Sequence, residues 1–95
     1  MDKQDLKKLR GMANKLNPVI LIGKSGVTNA ELGQTSQTLE SHELIKCGVL
    51  QNAPTDAKEA GATMADRLGA TLVQVIGNRF VLYRRSGRKG FDHLL

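Results

Sequence analysis

The stretch PVILIGKSGVT, residues 18–28, decides how the chain is read. Val19, Ile20, Leu21 and Ile22 form an apolar run too short for an ordinary helix and too branched for a loop. The run predicts a fully buried strand. Gly23-Lys24-Ser25-Gly26 comes next, and its two glycines permit a sharp turn and a close approach of a ligand to the backbone. Thr28 and Glu31 then stand at the spacing of a capping box that opens a helix. A strand thus delivers a lysine-bearing turn to a helix N-terminus. The unpaired N–H groups and positive dipole end there favour an anion such as phosphate.

Upstream, Asp2 caps a first helix whose apolar stripe is Leu6, Leu9, Ala13 and Leu16. Asn17-Pro18 ends it, because a residue before proline avoids the helical region. Lys3, Lys7, Lys8, Arg10 and Lys15 lie mainly off the stripe. Singly they read as a solvated face; together Lys7, Lys8 and Lys15 are candidates for a phosphate-facing patch.

Downstream, a second helix over about Asn29 to Ser41 has a thin stripe anchored by Leu32 and Leu39. His42 to Leu50 reads as a second strand, and Gln51 to Thr55 as a loop. Asp56 and Glu59 open a third helix with Ala57, Ala60, Met64 and Leu68 on one face, stopped by Gly69. Thr71 to Ile76 and Arg79 to Arg84 are strands joined at Gly77-Asn78, a hairpin signal. The tail from Arg85 is expected to be mobile until Phe91.

The order is α-β-α-β-α-β-β. It predicts parallel pairing of the first three strands through right-handed crossovers, closed by one antiparallel hairpin. The C-terminal ends of those strands would then share an edge carrying Gly23 to Gly26, Gln51-Asn52 and Gly77-Asn78, with Arg79 just beyond. Ligands of open α/β sheets favour that edge. The tail would leave from the opposite edge unless it folds back.

The chain has 95 residues, enough for one domain with a single core. No apolar run approaches the roughly 20 residues of a membrane span. One cysteine, Cys47, rules out an internal disulfide and fits a reducing cytoplasm. The net charge of +5 is uneven. Residues 1–28 carry six cations and two acids, residues 29–70 three and six, and residues 71–95 five and one. Basic ends around an acidic middle suggest a polyanionic partner.

Catalytic patterns are poor. Gly23-Lys24-Ser25 resembles the end of a nucleotide-binding P-loop, but Pro18 stands where the required first glycine would be. Cys47 and His42 are five residues apart, an odd spacing that separates them on a strand, and Cys47 reads as a small buried apolar residue. His42, His93 and Cys47 match no usual metal-ligand spacing. Glu40 and Glu43 read as surface acids. No enzyme activity, metal or cofactor is expected. In KH domains a GxxG loop clamps an RNA backbone; there it joins two helices, here a strand and a helix. Aromatics are limited to Phe80, Tyr83 and Phe91, so contacts to backbone are expected rather than stacked bases.

LRGMANKLNPVILIGKSGVT (9–28), HELIKCGVL (42–50) and GATLVQVIGNRFVLYRR (69–85) together resemble the stand-alone bacterial CRM-domain proteins, the YhbY family. The resemblance implies a two-layer α/β fold, αβαβαββ, with a four-stranded mixed sheet similar to the C-terminal domain of translation initiation factor three. It implies one RNA-binding domain over residues 1–85; the basic tail over 86–95 matches no family motif. It also implies a role in ribosome maturation on precursor large subunits, as in bacterial members, or in intron splicing, as in plant organelles. The family's GxxG loop maps onto Gly23, Lys24, Ser25 and Gly26. Residue reading and resemblance together lead us to expect a cytoplasmic, non-enzymatic protein that binds ribosomal RNA. The expected contacts are Gly23, Lys24, Ser25, Gly26 and Thr28, extended by Lys7, Lys8, Lys15 and Arg79. A bulky residue at Gly26 or glutamate at Lys24 should weaken that binding and spare the fold. Two alternatives stay open: an adaptor that binds a ribosomal protein, and a small enzyme acting on a phosphorylated substrate.

Overall fold

A computed structural model describes all residues, 1–95. The elements are α1 (Lys3–Ala13), β1 (Pro18–Ile22), α2 (Asn29–His42), β2 (Leu44–Val49), α3 (Ala57–Leu68), β3 (Thr71–Ile76) and β4 (Arg79–Tyr83). The caps expected from sequence are formed. The Asp2 carboxylate accepts from the Asp5 N–H and that of Asp56 from the Glu59 N–H, both at 2.8 Å.

The four strands make one mixed sheet in the order β1-β2-β4-β3. β1 and β2 are parallel; β4 is antiparallel to both β2 and β3. The expected pairing of the second and third strands is therefore replaced. β4 lies between them, because Phe80, Val81, Leu82 and Tyr83 are buried on both faces of the sheet, whereas β3 ends in exposed Val75 and Ile76. A strand apolar on both faces gains most at the centre. β3 still runs in the same direction as β1 and β2, so their C-terminal ends share one edge.

Two cores lie on opposite faces of the sheet. Ile20, Ile22, Ile45, Cys47, Val49, Phe80 and Leu82 point toward α2 and α3, meeting Leu32, Leu39, Ala60 and Met64. Leu44, Val73, Val81 and Tyr83 point the other way, under Leu9 and Ala13 of α1. β1 differs from the fully buried strand predicted. It is an edge strand, and alternation turns Val19 (54% exposed) and Leu21 (55%) to the α1 side, where no helix covers them.

Glu43 is also unlike its expectation. It joins α2 to β2 with φ +64° and is fully buried, not a surface acid. Its carboxylate accepts from the N–H groups of Ser86 (2.7 Å) and Leu94 (2.8 Å) and lies 2.5 Å from Nδ1 of His93. The Ser86 hydroxyl donates to the Glu40 carbonyl, and the Gly87 N–H to the Glu40 carboxylate. The tail therefore folds back onto the α2–β2 junction and is held from Ser86 onward, where mobility up to Phe91 was expected. The signal missed was that β4 ends beside the start of β2, so the emerging chain meets a buried carboxylate that must be paired.

Candidate nucleic-acid interface

Residues Gly23 to Gly26 form a tight turn at the C-terminal end of β1, closed by the Gly26 N–H donating to the Gly23 carbonyl at 2.9 Å. Gly26 is buried with φ +70°, and a Cβ there would meet Pro54 Cγ at 3.2 Å. A side chain would thus strain the backbone and press on the loop before α3. This corrects the expectation that a bulky residue at Gly26 spares the fold. Gly23 is not so constrained: its Cβ would make an ordinary 3.8 Å contact with Leu50. Lys24 and Ser25 form the exposed tip, and neither their side chains nor their N–H groups have a partner in the chain.

The start of α2 is beside the turn. Thr28 and Glu31 close a capping box in which the Thr28 N–H and hydroxyl both donate to the Glu31 carboxylate. Thr28 thereby serves as the cap, and the Gly26 N–H serves the turn. The free donors are the N–H groups of Lys24 and Ser25, the Lys24 ammonium, the Ser25 hydroxyl, and the first-turn N–H groups of Asn29 and Ala30, which have no intrahelical acceptor.

The remaining predicted cations fall into two places. Lys15 ends α1 and lines an open groove of about 500 Å³ together with Val19 and Lys46. Arg79 begins β4 on the same sheet edge as the turn and lines a neighbouring groove with Lys46 and Ile76. Lys7 and Lys8 are exposed on α1, which packs over Leu44, Val73, Val81 and Tyr83, toward the end of the sheet away from the turn. The structure thus brings Lys15 and Arg79 onto one face and leaves Lys7 and Lys8 apart from the turn. Sequence reading missed Lys46. Its signal is a charged residue between Ile45 and Cys47 in an otherwise apolar strand, which alternation sends to the α1 side.

Arg84, in contrast, is committed to structure. Its guanidinium donates to the carbonyls of Leu68 (3.0 Å) and Ser36 (2.9 Å) and pairs with Glu40 at 3.3 Å. Cys47 is fully buried, and burial pushes its thiol up to about 12, so no thiolate is available near neutral pH. No three His, Cys, Asp or Glu side chains are placed to hold a metal ion, and no helix is long and apolar enough to cross a membrane.

Residues 1–84 match the CRS1/YhbY (CRM) domain. The chain is similar to the probable RNA-binding protein YqeI of Bacillus subtilis, 40% identical over 78 residues, covering 82% of this chain and 81% of that protein. It is 39% identical over 79 residues to an RNA-binding protein of Haemophilus influenzae, covering 82% and 79% of the two chains. Its fold is similar to the solution structure of the hypothetical protein SAV1595 from Staphylococcus aureus. The TM-score is 0.77 at 38% sequence identity, over 94% of this chain and 93% of that one.

Proposed function

The chain belongs to the CRS1/YhbY (CRM) domain family, and from that premise we propose that it is a non-enzymatic RNA-binding protein acting on ribosomal RNA in precursors of the large subunit, in the cytoplasm. One observation carries the assignment of the site. The Lys24-Ser25 tip presents unpaired N–H groups, a hydroxyl and an ammonium beside the open first turn of α2. Such a donor set suits phosphate oxygens of a polynucleotide backbone, which is bound by positioning contacts rather than base reading. Cys47 is fully buried in the sheet, so it offers the rival reading, an enzyme using this turn for a phosphorylated substrate, no thiol nucleophile.

The clean test is Lys24→Glu, because the side chain is exposed and unpartnered. Titration against fragments of precursor large-subunit RNA should show an affinity loss on the order of tenfold, with the melting curve unchanged. Unaltered affinity would remove the turn from the interface. A partner retained after nuclease digestion of the bound RNA would favour the adaptor reading.

A further inference from the structure

The α1 side of the sheet is only half covered. Leu21, Gly48, Arg79 and Ile76 stand opposite one another on β1, β2, β4 and β3, so they form a single row across one face. Leu21 is 55% and Ile76 62% exposed, and Arg79 is exposed as well. Gly48 is buried under the Leu21 side chain, since a Cβ there would meet Leu21 Cδ2 at 3.2 Å. The row spans three strand spacings, about 14 Å. Its β1 end runs directly into the Gly23–Gly26 turn. Behind it lie Lys46 and Lys15, in the two grooves that no carboxylate lines.

Charge is divided across the sheet. The strands contain no Asp or Glu, and their only two charged residues, Lys46 and Arg79, both point to this face. None of Lys15, Lys46 and Arg79 is ion-paired within the chain. With α1 and its cap, this side carries seven cations against Asp2 and Asp5. The α2 and α3 side, with its caps, carries Lys58 and Arg67, joined by Arg84 between the two helices and Arg88 beside α2, against six carboxylates, Glu31, Glu40, Glu43, Asp56, Glu59 and Asp66.

We infer that the uncovered half of this sheet face is a second RNA-contact surface, over which a single strand leaving the Lys24-Ser25 turn passes, with its phosphates at Arg79, Lys46 and Lys15. The inference rests on the RNA-binding reading above. Leu21 and Ile76 supply apolar contact to ribose and base faces without reading sequence, and the cations neutralise the backbone. Charge complementarity selects a polyanion as the occupant over a protein partner.

The test uses the full chain and a 12-nucleotide oligouridine as probe, compared in a pair of doubly neutralised variants. Lys46→Gln with Arg79→Gln should lower affinity on the order of tenfold and make the slope of log K against log salt shallower by about 1.4, the amount for two phosphates of a single strand. Lys58→Gln with Arg67→Gln removes the same charge from exposed positions on the opposite side and should change affinity less than about twofold. Amide shifts of the unaltered chain on adding oligouridine should include residues 21, 46, 48, 76 and 79, a readout independent of any folding defect. Equal losses in the two doubles, or no shifts along this row, overturn the inference. If Lys24→Glu weakens binding and Lys46→Gln/Arg79→Gln does not, the face is refuted and the turn stands. The reverse result refutes the turn and keeps the face. If neither variant responds, both fail and the face is left to a protein partner.

Discussion

Glu43 concentrates the chemistry of single residues in this molecule. Burial works to raise its pKa, yet the hydrogen bond with His93 and the N–H groups of Ser86 and Leu94 outweigh burial and hold it below its ordinary value of 4.5. A carboxyl whose native pKa is depressed contributes stability that is present above the unfolded value and is lost as pH falls through the native one. Glu43→Gln keeps the shape but removes the charge-assisted acceptors, so it should cost about 1–3 kcal/mol at neutral pH. Urea unfolding of both proteins from about pH 7 to about pH 3 checks this, since the gap should narrow once pH drops below 4.5. A gap independent of pH would mean that the carboxylate charge does not hold the tail. Neither the burial nor the positive φ of Glu43 is visible in the sequence around it. Local acids such as Glu40 and Glu59 look the same on paper, and only the return of residues 86–94 separates them.

Among the elements, α3 depends on close approach to the sheet. A Cβ at Gly61 would lie 2.8 Å from Leu72 Cδ1 and 3.2 Å from two ring carbons of Phe80. The Leu72 tip can swing away, but Phe80 is fully buried between α3 and the sheet. Gly61→Ala should therefore destabilise by about 1–3 kcal/mol despite alanine's better helix propensity. Chemical denaturation measures it, and a stabilised variant would show that the interface has slack. The second helix makes the complementary point. Its thin stripe of Leu32, Thr35 and Leu39 marks it only weakly, and it is fixed by packing and by Arg84, which ties the Ser36 carbonyl to the end of α3 at Leu68. Element types and most boundaries followed from caps and periodicity, because those signals act within one or two turns of chain.

For the whole molecule, a basic α1 side backs onto an acidic α2 and α3 side. If the turn and the open sheet face together neutralise about four phosphates, log K for single-stranded RNA should fall against log salt with a slope near −3. Titrations at several salt concentrations measure it, and a flat response would refute backbone-dominated binding. The sequence alone determined the order αβαβαββ, the turn at Gly23 to Gly26 and the parallel sense of β1, β2 and β3, since alternation, capping and glycine placement are local properties. Tertiary structure decided which strand took the centre, which half of β1 stayed bare, and that Lys15, Lys46 and Arg79 share a face. Those outcomes depend on which apolar surfaces compete for burial across the sheet, and residues far apart in the chain settle that competition together.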